Sequence, residues 1–103
     1  MAGKHFIELM NEEAPEISNA FFAMGDAIEN RGGIDVKTFN LIYIAIKASV
    51  ADAGAVAAHA GMAKAAGATR EEVRGAVLVT LMTNGIHGVS SCLAAALDAY
   101  DNA

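Results

Sequence analysis

Several residue types are scarce in this chain of 103 residues, and each scarcity excludes something. Cys92 is the only cysteine, so neither an intramolecular disulfide nor a metal site of two or four cysteines can form within one chain. Pro15 is the only proline. Basic residues number 7 against 12 acidic ones, which gives a net charge of -5. With no basic stripe along the chain, nucleic acid is not an expected partner.

Long apolar runs are also missing. The longest, LIYIAI and AVLVTLM, fall far short of the roughly 20 residues that span a bilayer. The first residues, MAGKHFIELMNEEAPE, lack the apolar core of a secretory signal peptide and carry acidic residues early. We therefore expect a soluble cytoplasmic protein that has no membrane partner.

The chain also lacks any short-range spacing of metal-ligating residues. We therefore expect no bound metal, and we expect no cofactor.

Apolar residues, in contrast, are abundant. They make up 54 % of the chain, whereas charged residues make up only 18 %. A monomer of this size encloses only a modest core, so much of this apolar sequence would otherwise face water. The composition therefore predicts a homo-oligomer in which other copies cover part of the surface.

The pattern of apolar residues and caps predicts an all-α fold. Strand signals are weak, whereas apolar residues recur at helical spacing through most of the chain. Asp35, Asp52 and Thr69 each precede such a segment and are typical N-caps, with Glu72 completing a capping box after Thr69. The glycine-rich NGIHG stretch, residues 84–88, predicts a break before the last helix. We expect one domain over residues 1–103, a bundle of about six helices with short connections.

The central part of the chain resembles the carboxymuconolactone decarboxylase family, which includes the alkylhydroperoxidase D-like proteins. The resemblance covers residues 33–79 and rests on DVKT at residues 35–38 and HAGMAKAAGATREEV at residues 59–73. It extends more weakly to APEISNAFFAM at residues 14–24 and to GVSSCLAAALDAY at residues 88–100. It implies an all-helical domain that assembles as a homotrimer or homohexamer.

Redox members of that family carry Cys-x-x-Cys-x-x-x-His, with a glutamate twelve residues before the first cysteine. A helix N-terminus lowers a thiol pKa, and the neighbouring His and Glu move protons during peroxide reduction. On this sequence the two cysteines fall on Asp52 and Ala55, the glutamate on Asn40 and the histidine on His59. Three of the four are lost, so we expect no thiol peroxidase activity.

The decarboxylase branch also lacks the cysteine pair and keeps the histidine, and the resemblance therefore favours a lyase. Acid/base groups and a cation for a carboxylate are what a carboxylated lactone requires. We predict His59, Asp52 and Lys47 as catalytic residues, and Asn40 and His87 as contacts to a small anionic substrate.

Each of these residues also has a plain structural interpretation. His59 can be a hydrogen-bonded core histidine, Asp52 a helix cap, and Lys47 a surface cation over apolar neighbours. Two alternatives to an acid/base enzyme remain open. One is a non-enzymatic oligomeric scaffold that binds a ligand or partner. The other is a redox accessory that uses Cys92 between subunits, which requires that thiol to be exposed.

Overall fold

The computed structural model describes residues 3–103, and within them it confirms the all-α fold. The helices are α1 (Phe6–Glu13), α2 (Pro15–Arg31), α3 (Val36–Ser49), α4 (Ala53–Ala65), α5 (Arg70–Leu78), α6 (Thr80–Asn84) and α7 (His87–Asn102). Only Val79 separates α5 from α6, so the expectation of about six helices is met. Within the same residues, no helix is both long enough and apolar enough to cross a bilayer.

The chain divides after Ile34 into two compact units, one with α1 and α2 and one with α3 to α7. The prediction of one domain over residues 1–103 stays a prediction. In the first unit, Pro15 begins α2, where its fixed φ suits the first helical turn. Ser18 is fully buried and donates a hydrogen bond to Asn11 of α1, which ties the two helices together.

In the second unit, the predicted N-caps are confirmed. The Asp35 carboxylate accepts the Thr38 backbone N–H at 2.9 Å, and this bond holds the pKa of Asp35 below its ordinary value. Asp52 accepts the Ala55 N–H at 3.1 Å. Thr69 and Glu72 form the reciprocal capping box. These caps satisfy backbone N–H groups that the first helical turn leaves without partners.

Small side chains let the helices of the second unit approach closely. Helix α4 packs against both α3 and α7, and α5 packs against α7 and α3. The α4 side chains that face inward are Val56, Ala60 and Ala63, all fully buried. The remaining buried apolar residues are Ile44 and Ala48 from α3, Ala68, Val73 and Val77 around α5, and Cys92 and Ala96 from α7.

Two helices of this unit end in the same way but with different residues. After α4, Gly67 has a φ of +98°, and Ala68 N–H donates to the carbonyl of Ala63 at 2.9 Å. After α3, Ala51 takes the left-handed conformation at a φ of +59°, and Asp52 N–H donates to the carbonyl of Lys47 at 2.9 Å. Both are Schellman caps, in which glycine is the usual residue. Ala51 therefore carries backbone strain that Gly67 avoids.

The substitution Ala51→Gly is expected to stabilise the chain. Relief of the left-handed strain outweighs the extra freedom of an unfolded glycine, for a net gain of about 0.5 kcal/mol. Gly67→Ala is the matched reverse change and should cost about 1 kcal/mol. Urea unfolding at one fixed protein concentration measures both. A loss of stability in Ala51→Gly would contradict the left-handed conformation at that position.

Candidate functional site

Asn40 and His59 meet where α3 packs against α4. Asn40 is almost completely buried, and His59 is half-buried. Asn40 Oδ1 and His59 Nδ1 lie 2.9 Å apart, although 19 residues separate them in the chain. The structure thus brings together two residues that the sequence indicated separately, one as the family histidine and one in place of the family glutamate.

A second contact fixes the orientation of the Asn40 amide. Its Nδ2 donates to the carbonyl of Val36 at 3.0 Å, so its Oδ1 is the atom that faces the imidazole. An amide oxygen only accepts hydrogen bonds, and Nδ1 of His59 must therefore carry the proton. In the neutral ring, the lone pair then lies on Nε2.

Tyr43 contacts one face of the His59 imidazole. Its ring stacks on that of His59 with centroids 3.5 Å apart and an interplanar angle of 17°. The ring of Phe39, four residues before Tyr43 on α3, lies next to that of Tyr43, with ring centroids 6.3 Å apart. A hydrogen bond at one edge and a ring on one face together hold the imidazole in one orientation.

Lys47 and Asp52 form a different pair. Their Nζ and Oδ2 atoms lie 3.8 Å apart, and both side chains are partly exposed. Lys47 follows Asn40 by seven residues and Asp52 precedes His59 by seven, so each pair lies about 10 Å from the other along the helices. Asp52 also caps α4. An exposed pair at this distance contributes little to stability.

His87 is placed differently from what the sequence indicated. It is the first residue of α7 rather than part of the loop before it, and its side chain is exposed. The break lies instead at Gly85, where φ is +78° and ψ is -158°, a conformation that is open essentially to glycine alone. Across residues 3–103, no three His, Cys, Asp or Glu side chains gather closely enough to hold a metal ion.

The model of the carboxymuconolactone decarboxylase family matches residues 15–98. The chain belongs to this family. The match covers residues 33–79, where the resemblance is clearest, and also the flanking segments in α2 and α7 where it is weaker. No curated protein matches the chain, and no solved structure does either.

This family member holds no cysteine where redox members carry theirs. Asp52 and Ala55 occupy those positions at the start of α4. The only cysteine, Cys92, is fully buried in α7. Burial raises the pKa of its thiol, and the negative charge of Asp52 raises it further. A protonated, enclosed thiol is a poor nucleophile, so the exposed thiol that a Cys92 redox role requires is not present in this protomer.

Sequence reasoning missed Tyr43 as a site residue. Its signal was its position three residues after Asn40, because residues at that spacing share a helix face. The ring stack with His59 also depends on the register between α3 and α4, which sequence spacing alone does not give.

Proposed function

We propose that this member of the carboxymuconolactone decarboxylase family performs non-redox acid/base chemistry on a small carboxylated substrate, with His59 as the proton-transferring residue. The hydrogen bond from His59 Nδ1 to Asn40 Oδ1 supports this most directly. It keeps a proton on Nδ1 in both the neutral and the cationic ring, so proton exchange takes place at Nε2.

Asn40 acts in this proposal as a positioning residue. A glutamate in its place could take the imidazole proton and relay it, as thiol chemistry requires. A neutral amide cannot, and it therefore orients the ring without competing for the proton. This difference supports a single-residue acid or base rather than a proton relay toward a thiol.

Decarboxylation suits such a residue. Loss of CO₂ from a carboxylated lactone leaves an electron pair on carbon, which must be protonated. An imidazolium with a proton on Nε2 can deliver it and return to the neutral ring. Lys47, on the face of α3 that also carries Asn40, is the cation available for a substrate carboxylate. Its loose pair with Asp52 allows an anion to compete.

The substitution His59→Gln tests the proposal. Carboxylated lactones would be offered to the protein, and release of CO₂ would be followed against pH. We expect kcat/KM to fall at least 100-fold in His59→Gln, because general acid/base catalysis contributes about 10²–10⁴-fold. His5→Gln makes the same change at an exposed residue of the first unit and should keep full activity. Undiminished turnover in His59→Gln would contradict the role of His59.

The competing proposal is a non-catalytic oligomeric scaffold. Its support is the exposed apolar surface, which includes Phe6, Ile17, Ile46 and Met82. Under this proposal, no carboxylated lactone is turned over. Loss of His59 then costs only the pairing of Asn40, about 1–3 kcal/mol of stability. Turnover by the natural chain that disappears in His59→Gln would exclude the scaffold role.

A further inference from the structure

The rings of Tyr43 and His59 are packed face to face. Their centroids are 3.5 Å apart and their planes make an angle of 17°, so one ring lies directly over the other. Phe21 and Phe22 meet in a different way, edge to face, with centroids 5.2 Å apart and an angle of 85°. The same chain thus contains both arrangements, and the face-to-face one occurs at the candidate site.

A centred stack suits a cation better than a second neutral ring. An aromatic ring is negative on its faces and positive at its edge, so neutral pairs prefer an offset or an edge-to-face geometry. A cation within about 6 Å of a ring centroid is instead attracted to the negative face. The position of His59 over the face of Tyr43 therefore favours an imidazolium over a neutral imidazole.

The hydrogen bond at the edge of the imidazole agrees with this charge state. Asn40 Oδ1 accepts from His59 Nδ1 at 2.9 Å, and a charged donor makes a stronger hydrogen bond than a neutral one. Asn40 is buried and Tyr43 is half-buried, so both contacts lie on a side of the imidazole where water screens them less. The amide can hold either form of the ring, whereas the face of Tyr43 attracts the cation specifically.

The charges nearest to this site along α3 and α4 are compensated in pairs. Lys37 is paired with Glu72 at 3.0 Å, and Lys47 lies 3.8 Å from Asp52. Further titratable groups on α4, α5 and α7 are Lys64, Arg70, Glu71, Arg74, His87, Cys92, Asp98, Tyr100 and Asp101. A substitution at Tyr43 leaves all of these groups in place, so a difference between Tyr43 variants reports the contribution of its ring.

We propose that Tyr43 is a positioning residue that stabilises the cationic form of His59 through the face of its ring. This inference rests on the proposed function, in which the imidazolium passes its Nε2 proton to the carbon that has lost CO₂. A cation that the ring stabilises keeps its proton to a higher pH. Tyr43 therefore increases the share of molecules that carry this acid, and the tyrosine hydroxyl is not required.

An NMR titration of the His59 imidazole tests the role of Tyr43 without any substrate. The pKa of His59 should fall by about 0.5 in Tyr43→Leu, which removes the aromatic face. Tyr43→Phe is the matched control, because it keeps the face and loses only the hydroxyl. Its His59 pKa should stay within about 0.2 of the natural value. An unchanged pKa in Tyr43→Leu would overturn the proposal, and so would an equal fall in both variants.

The natural chain offers a second test that does not depend on the folding of a variant. The carbon-bound protons of the His59 imidazole lie over the tyrosine face, so ring currents should move their signals upfield of those of the exposed His87. This difference should persist when both imidazoles are protonated, because the cation stays on the face. Its disappearance at low pH would show that the cation leaves Tyr43, and this result would contradict the proposal.

The pH dependence of decarboxylation separates this proposal from the proposed function. The acid is lost as pH rises through its pKa, so the fall in kcat/KM should begin about 0.5 pH unit lower in Tyr43→Leu. A pKa difference between Tyr43→Leu and Tyr43→Phe supports the role of the ring even without turnover, which contradicts the proposed function alone. Equal pKa values, with turnover lost in His59→Gln, overturn the role of Tyr43 and leave the proposed function standing.

Discussion

The substitution Gly88→Ala is expected to destabilise the chain by about 3 kcal/mol. Gly88 is buried in α7. A Cβ built on it would lie 2.4 Å from the carbonyl oxygen of Ala48 and 3.0 Å from Thr80 Oγ1. The carbonyl belongs to the backbone of α3 and cannot rotate away. The methyl group would therefore force α7 away from α3 and loosen the core between them.

Urea unfolding followed by circular dichroism measures this effect. All variants are compared at one protein concentration, since the stability of a protein that self-associates depends on its concentration. Gly75→Ala is the matched control. Gly75 lies within α5, and nothing lies within 4 Å of the Cβ it would gain. Helix propensity alone should then stabilise that variant by about 0.5–1 kcal/mol. A Gly88→Ala protein as stable as the natural chain would contradict the close approach of α7 to α3.

Local chemistry explains why the starts of α3, α4 and α5 were predictable from the sequence. A cap such as Asp35 or Thr69 acts within one helical turn, so the residues that decide it are neighbours in the chain. Both were confirmed, as was the capping box with Glu72. Ala51 was not predictable. Its left-handed conformation is imposed by the packing of α3 against α4 and contradicts the preference of alanine itself.

The start of α7 was also decided by packing between helices, which the sequence alone does not show. Glycines at positions 85 and 88 are both compatible with a break, and the sequence could not rank them. The structure places the break at Gly85 and puts Gly88 within the helix. Gly88 is needed there for close contact with a carbonyl, and that need is visible only once α3 is in place.

Prediction of the candidate site was limited by register. The resemblance singled out Asn40 and His59, but their contact requires α3 and α4 to be aligned to within a fraction of a turn. The same alignment places Lys47 and Asp52 two helical turns away from Asn40 and His59. Residue types alone do not reveal this separation between the charged pair and the imidazole.

The second large effect is expected for Asn40→Leu. Leucine is close to asparagine in size but accepts no hydrogen bond, so the Nδ1–H of the half-buried His59 would lose the acceptor that the buried Asn40 supplies. We expect a loss of about 2 kcal/mol in unfolding free energy. The carbonyl of Val36 would lose the Asn40 side chain as a donor, but the helix itself supplies another. The cost therefore falls mainly on the imidazole.

Nitrogen-15 NMR reports which nitrogen of the His59 imidazole carries the proton. This readout tests whether Asn40 positions the ring, and Asn40→Asp is the matched variant. In the natural chain, the neutral ring should show a protonated Nδ1 and a lone pair on Nε2. Asn40→Leu should lose this tautomer. Asn40→Asp keeps an oxygen acceptor at the same position and should retain it, with the pKa of His59 moved upward by the new negative charge.

These two variants also separate the enzyme from the scaffold. If His59 transfers protons at Nε2, Asn40→Leu should lower kcat more than it raises KM, because the ring loses its working tautomer rather than its substrate contacts. Asn40→Asp should recover part of that loss and shift the pH profile upward, in the direction of the His59 pKa. A leucine variant that keeps the Nδ1–H tautomer would show that Asn40 does not position His59. One that loses stability while turnover is unchanged would leave the Asn40–His59 bond a structural contact alone.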